Sequence, residues 1–512
     1  MKKFTFLTTA LFMLVIACGN LKAQVGLVIW SDLAEKFTGD GDKDKPFIIS
    51  KAEHLAYLAV KVNEDKNYSL NKYFKLDNDI DLVGTSQLGE RNEGITFYWD
   101  LPIGTKTSPF QGTFDGNNYR IVNMLLDGFW YFPQQQTMGL FGYTEDATIK
   151  NVCLEGVNSH YIAHTVVGSL VGHALNTSIE YCKVKRFEIT GVQKYAGGLI
   201  GEAHGKKTTV KNSSASGKII DVGSNCFTGG FAGYVADGTI TYCDSEGEIS
   251  GTSVVGGFIG NVGEGRSTIR YCHSKSKTIG ISSVGGFIGL IKSAEVQIKD
   301  CRTSGLTLGV SDHTGGFIGI IQDGNGEVKS CLAEGMVTGN THVGGFIGGL
   351  TGMTLNSMKI TNCSSTGVTE SIKGSTGGFV GYASSNVLFS GCFATGAVKG
   401  ETDVGGFVGS IHTTVTDCFA TGKVEGYKNV GGFAGNTDAI LTNCFAVGTV
   451  KGHENVGGFA GRIRGRGRLF NDPVSGDIFN PENCFSAGTV FCENEDRSGA
   501  FVGNLVNPRQ KT

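Results

Sequence analysis

The chain has 512 residues, 40% of them hydrophobic, with a formal net charge of −3, 79 glycines and only 7 prolines. That is apolar material for a large core, and the charge balance gives no electrostatic case for nucleic-acid binding. No apolar run of about twenty residues follows the N-terminus, so no transmembrane helix is expected beyond it.

Residues 1–23 read as an export signal: Lys2 and Lys3 form the basic region and Phe4 to Ile16 the apolar run. Two processing readings compete. Leu21-Lys22-Ala23 before Gln24 suits ordinary signal cleavage, whereas Val15-Ile16-Ala17-Cys18 resembles a lipobox that would make Cys18 a lipidated N-terminus. Either places the protein outside the cytoplasm, as a secreted or a surface-associated chain.

Residues 24–135 carry no repeat. Gly39-Asp40-Gly41-Asp42 is a turn cluster. Its carboxylates lack the downstream Gly and Glu of a Ca²⁺ loop, so a solvated turn is expected. Ser50-Lys51-Ala52-Glu53 has the form of a capping box, and Leu55, Leu58, Ala59 and Val62 share one helical face. This predicts an amphipathic helix over residues 51–63 that covers the N-terminal end of whatever follows. Two strand-like segments, Tyr73 to Leu82 and Pro109 to Ile121, are expected to form first, irregular coils.

From residue 136 to 512 the chain repeats itself. Gly-Gly-Phe-(Ile/Val/Ala)-Gly, as in Gly256 to Gly260, recurs with variations from Met138 to Gly499, mostly 26 to 33 residues apart. A second motif follows it in each repeat. In Cys418-Phe-Ala-Thr-Gly-Lys-Val-Glu-Gly426 the residues Cys418, Ala420, Gly422, Val424 and Gly426 are small or apolar and alternate with Thr421, Lys423 and Glu425. Period 2 means extended strand with one face in and one out. A unit of about thirty residues is too short for a four-stranded propeller blade of ~40, and no repeat carries a helical stripe. The expected fold is therefore all-β: a right-handed parallel β-helix of about 13 coils, roughly 60 Å long at ~4.8 Å per rung. Scarce proline fits a ladder that needs its N–H donors.

Cysteine recurs once per coil, at Cys153, Cys182, Cys243, Cys272, Cys301, Cys331, Cys363, Cys392, Cys418, Cys444 and Cys484, with Ser213 in the coil that lacks it. These read as an interior column of free, buried thiols, since a column does not converge on a metal as ligands must. Cys226 and Cys492 lie off it. The third and fourth positions of the glycine motif are both apolar, so either the glycines bend the strand or one column is an exposed apolar stripe. The bend is expected.

The Gly-Gly-Phe-Ile-Gly repeats resemble the GLUG-repeat family of exported bacterial proteins. The leading segment resembles the region found ahead of such repeats, through Pro46 to Ser50, Asp79 to Leu82 and Phe110 to Gly116. Together they cover nearly all of the chain after residue 23. The resemblance implies a β-helix and an exported or surface location, and no reaction. Some immunoglobulin A-cleaving metallopeptidases carry such repeats beside a zinc protease domain. This chain has no His-Glu-x-x-His, so that activity is not carried over.

Two surface features stand out. Phe393, Phe419, Phe445 and Phe485 each follow a column cysteine, where alternation points them outward as a stripe suited to sugar faces, or else as a structural ladder under a loop. The coil beginning at Gly457 is extended and opens with Arg462, Arg464, Arg466 and Arg468, which share one face if extended and suit an anionic glycan or phosphate. A solvated loop or an end cap is the plainer reading. His313 and His342 occupy equivalent positions but lack a third ligand, and Asp300, Asp403 and Asp417 form no adjacent carboxylate group. No cofactor is expected. The reading is a non-enzymatic surface interaction or adhesion protein whose partner is a glycan or a host or cell-surface protein. A polysaccharide-active β-helix lyase or hydrolase, and a self-associating structural element, stand as alternatives.

Overall fold

The computed structural model describes residues 28–82, 97–99, 101–127, 137–160, 166–220, 222–352, 358–384, 387–464, 481–494 and 497–506. The proposed signal with Cys18, and Arg466 and Arg468, lie outside them.

The repeats wind a parallel β-solenoid whose coils contribute strands to three sheets. One coil shows the plan. Val254–Gly256 joins a 13-stranded sheet, Ile259–Val262 and Gly265–Arg270 a second sheet, and His273–Ser274 and Lys277–Gly280 a third. Each strand pairs in parallel with its counterpart one coil on, as Val255 with Val284, Ile269 with Ile298 and His273 with Arg302. The thirteen strands of the first sheet run from Thr137–Met138 to Ser498–Gly499, one per glycine motif.

The motif itself is the corner between the first two sheets. A Cβ on Gly256 would lie 1.8 Å from the Ile259 carbonyl, and one on Gly257 would lie 2.1 Å from the Gly286 carbonyl in the next coil. No side chain fits there, so the strand turns sharply. The turn lets Phe258 and Ile259, neighbours in sequence, both point inward with no exposed surface. The expected bend is thus present. It builds an interior ladder of rings, Phe287 on Phe317, Phe317 on Phe346 and Phe346 on Phe379, each pair 4.7 Å apart and within 12° of parallel. The ladder runs from Phe231 to Phe501.

The thiol column lies at the corner between the second and third sheets. Each buried sulfur donates to the carbonyl two residues earlier, as Cys272 to Arg270 at 3.2 Å and Cys301 to Lys299 at 3.3 Å. Burial pushes the Cys182 thiol up to about 12. Ser213 takes the sulfur's role, accepting from the Cys182 N–H at 3.1 Å and donating to the Lys211 carbonyl at 2.8 Å. One expected member is not in the column. Cys153 pairs with Lys183, which sets buried Val152 in the slot next to Cys182 and turns Cys153 toward the half-exposed face. The turn before it is one residue out of step with the cysteine spacing, which sequence distance alone does not reveal. Cys492 pairs with Gly452, off the column as expected.

At the N-terminal end, strands Phe47–Ile49, Tyr73–Leu76 and Thr113–Asp115 pair in turn and lead to Thr148–Lys150, so the irregular segment continues the second sheet. The helix spans Ala52–Glu64 and buries Leu55, Leu58, Ala59 and Val62 against this end, with Phe37 packed on Phe47, Tyr57 and Phe74. An open sheet end needs such cover. Its N-cap is Lys51 with no side-chain cap, so the expected capping box is absent. Instead the Ser50 N–H donates to His54 Nδ1 at 3.2 Å, and Lys51 pairs with Glu35. Gly39 and Gly41 adopt left-handed backbones in a turn whose Asp40 and Asp42 face Lys45 and Lys72.

Candidate interaction face

The third sheet carries the phenylalanine column on its outer side. Phe393, Phe419, Phe445 and Phe485 pair directly with one another from coil to coil, while Ala394, Ala420 and Ala446 beside them face the core. Outward alternation is therefore as expected. The rings stand 4.9, 4.9 and 5.1 Å apart and are parallel within 5°.

That geometry alters what the column offers. Parallel rings at this separation are offset-stacked, so each covers much of its neighbour's face and turns edges to solvent. The inner rings, Phe419 and Phe445, are half-buried. Open faces remain at the two ends: Phe393, whose neighbour on the other side is the small Ser364, and Phe485, which is 52% exposed. The expected flat stripe of sugar-binding faces is thus reduced to two end rings joined by a ribbon of edges.

A polar ladder runs alongside. Two residues before each ring the chain turns through a left-handed residue: Gly391, Asp417, Asn443 and Asn483. Short polar side chains tolerate that backbone best. Asn443 donates its amide to Asp417 at 2.8 Å and Asn483 to Asn443 at 3.1 Å, all three exposed to solvent. Ring edges and a row of one carboxylate and two amides lie side by side on one face. Phe491, in the next strand of the last coil, adds a further ring at 55% exposure.

The arginines do not join this face. Arg462 and Arg464 lie in the strand Ala460–Arg464 of the second sheet, on either side of buried Ile463. Arg464 is exposed, whereas Arg462 is half-buried beside Asn436 and Asn504, and among the described residues its Nε has no partner. Their charge acts on Asp403, whose carboxyl burial pushes up while Asn429, Arg464 and Arg462 pull it down. His313 and His342 stack at 5.0 Å, both at left-handed turn positions. Asp403 lies in the strand Thr402–Gly405 of the first sheet, whereas Asp300 and Asp417 lie at the corner between the second and third sheets, on coils separated by Ser330, Asn362 and Gly391. The three carboxylates are not brought together.

One set of surface residues escapes a reading built on column cysteines and phenylalanines. Tyr181, Tyr242 and Tyr271 each precede a column residue, at the left-handed turn that holds asparagine, aspartate, serine or glycine elsewhere, and all are exposed. The signal was visible as Tyr-Cys in place of Asn-Cys.

The GLUG motif family matches residues 193–220, 400–425 and 426–451, the last two each spanning one coil with its glycine corner and its outward phenylalanine. The chain carries GLUG repeats. A relative from Evansella cellulosilytica, bearing the provisional name of a Gly-rich membrane protein, is 33% identical over 141 residues, which is 26% of this GLUG-repeat chain and 14% of the relative. The chain thus matches about one-seventh of that relative's length. A crystal structure from Bacteroides ovatus, provisionally named an immunoglobulin A1 protease, aligns with 72% of this chain and 80% of its own at 17% identity and a TM-score of 0.31. At that score the likeness bears on nothing further. Among the described residues no helix is long and apolar enough to cross a membrane.

Proposed function

We propose that this GLUG-repeat chain works outside the cytoplasm as a rigid, non-catalytic rod that presents the Phe393–Phe485 face to a surface partner, with a glycan as the favoured ligand. The observation that carries the reading is the outward-facing ring ladder, open at its two ends, with the row of Asp417, Asn443 and Asn483 beside it. Solvent-facing aromatics are poorly explained by core packing, and rings beside hydrogen-bonding amides are the pairing that sugar recognition uses. A solenoid holds such a row in fixed register, so little ordering is lost on binding. The reading of residues 1–23 as an export signal and the name of the membrane relative support a location at the cell surface.

The test is a broad glycan array probed with residues 24–512 and with the Phe393→Ala/Phe419→Ala/Phe445→Ala/Phe485→Ala variant. Wild type is expected to retain at least one glycan class that the folded variant loses. Release of new reducing ends from a retained polysaccharide would overturn the non-catalytic reading. Equal retention by both proteins would remove the ladder from it.

A further inference from the structure

Tyr181, Tyr242 and Tyr271 stand at φ of 56°, 56° and 55°. A left-handed backbone is unfavourable for any residue with a Cβ and least natural for a bulky ring. Exposure removes the usual compensation, since the rings are 56%, 57% and 47% accessible. Other coils place Asn151, Asn212, Asn362 or Asn443 at this same turn. Tyr242 and Tyr271 stack with each other at 4.8 Å and 9°. Strained, exposed side chains of this kind collect at ligand clamps.

A second, independent feature lies beside them. Arg270 pairs in register with Lys299, and Lys299 with Lys329, so three cations face outward on successive rungs of the second sheet. Their inward neighbours Ile269, Ile298 and Val328 are buried. Like charges set directly opposite one another repel. Across the turn, Arg302 follows on the coil of Lys299. Among the described residues, Arg270, Lys329 and Arg302 enter no ion pair, and Lys299 only approaches Asp300 at 3.9 Å. The local field is felt by His273, which burial, then Arg302 and Lys275, hold down at about 4. The same sheet face dips beside these cations into a depression of about 750 Å³ that begins at Thr239 and Thr268, two residues before Thr241 and Arg270; its far side is of mixed charge, with Lys206, Asp237 and the Arg266–Glu295 pair, so the uncompensated cations are those of the row. A chain with net charge −3 has no general excess of positive charge to explain the row.

We propose that this face binds an acidic polysaccharide that runs along the solenoid axis. Its anionic groups would sit on Arg270, Lys299 and Lys329, and one of its sugars would pack on the Tyr242–Tyr271 pair. One cation per rung suits a polymer with one charge per sugar, and the tyrosines supply the apolar contact that a simple counter-ion would not need. This site is separate from the phenylalanine ladder and does not depend on it.

Isothermal titration of residues 24–512 with polygalacturonate, heparin and neutral dextran tests the proposal. The first two probes separate carboxylate from sulfate as the anion. Binding to at least one of them, none to dextran, and weakening as salt rises are expected. Tyr242→Asn/Tyr271→Asn installs the residue that the turn prefers, so the melting temperature should hold or rise while affinity falls at least about tenfold. Arg270→Gln/Lys299→Gln/Lys329→Gln should abolish binding, and the four-phenylalanine variant should bind as wild type does. The proposal is overturned if wild type binds neither polyanion, or if the tyrosine variant or the glutamine variant binds as tightly as wild type.

Discussion

Asn429 donates its side-chain amide to the carboxylate of Asp403 over 2.7 Å, and Asn455 donates to Asn429 over the same distance. All three sit at left-handed turns of successive coils, and Asn504 extends the chain of bonds at 3.1 Å. The ladder therefore ends on a carboxylate where every other member is an amide. Burial is the largest influence on Asp403 and raises its pKa. A raised folded pKa means that the group's contribution is complete below its unfolded value and is lost as pH rises through the folded value. At neutral pH Asp403 thus weighs against the fold. Asp403→Asn should stabilise the protein at pH 7 by something on the order of 1 kcal/mol, with the gain vanishing near pH 3. Urea unfolding at the two pH values checks this, and an equal gain at both would refute the linkage.

The two phenylalanine ladders make opposite predictions for the same substitution. Phe346 is fully buried between Phe317 and Phe379, so Phe346→Ala should cost about 3–5 kcal/mol. Phe419 stacks on Phe393 and Phe445 at the surface, so Phe419→Ala should cost only about 1 kcal/mol, the loss of two half-exposed ring contacts. Denaturation midpoints of the two variants provide the comparison. Similar losses would mean that the outer ladder is structural.

Thiol chemistry separates the column from its exceptions. Ten of the described cysteines are buried, whereas Cys153, Cys484 and Cys492 are partly exposed. Burial raises Cys182 and keeps the thiolate, the reactive form, unpopulated. At the end of the column a hydrogen bond from Cys444 lowers Cys484. Brief alkylation of the native protein near pH 8 should modify Cys484 first, and the buried set only after denaturation. Mass mapping that finds Cys301 or Cys363 labelled as fast as Cys484 would mean that the column opens.

Much of this architecture was legible because one motif repeats. Paired glycines and alternating small residues set the coil, the bend and the outward phenylalanines in the sequence itself. What was not legible lies where one residue decides register. Cys153 and Val152 are adjacent, and only the length of a turn determines which of them faces the core. The direction of the ring normals in the Phe393–Phe485 column is likewise no property of spacing. It follows from rings packing on their own copies one rung away. Ser50 to Glu53 fits a capping box by composition, yet His54 Nδ1 takes the N–H that Glu53 would have taken. Tyr242 and Tyr271 run against backbone preference, so propensity hides them.

Close coil-to-coil approach makes the sharpest prediction. A Cβ on Gly345 would lie 2.1 Å from the Gly378 carbonyl of the next coil and 2.3 Å from Ser365 Oγ. The first obstacle is backbone held by its own ladder, so it cannot step aside as a side-chain tip can. Gly238 also lies within a strand, but there the nearest atom to an added Cβ is 3.6 Å away, an ordinary contact. Gly345→Ala should therefore destabilise by more than about 3 kcal/mol or prevent folding, as overpacking against a rigid neighbour does. Gly238→Ala should be neutral or stabilise by up to about 1 kcal/mol, because alanine reduces the freedom of the unfolded chain. Soluble yield and thermal melting of the two single variants settle the comparison. If Gly345→Ala melted with wild type, the corner would have to yield by more than an ångström, and the packing that sets the coil would be looser than its glycines demand.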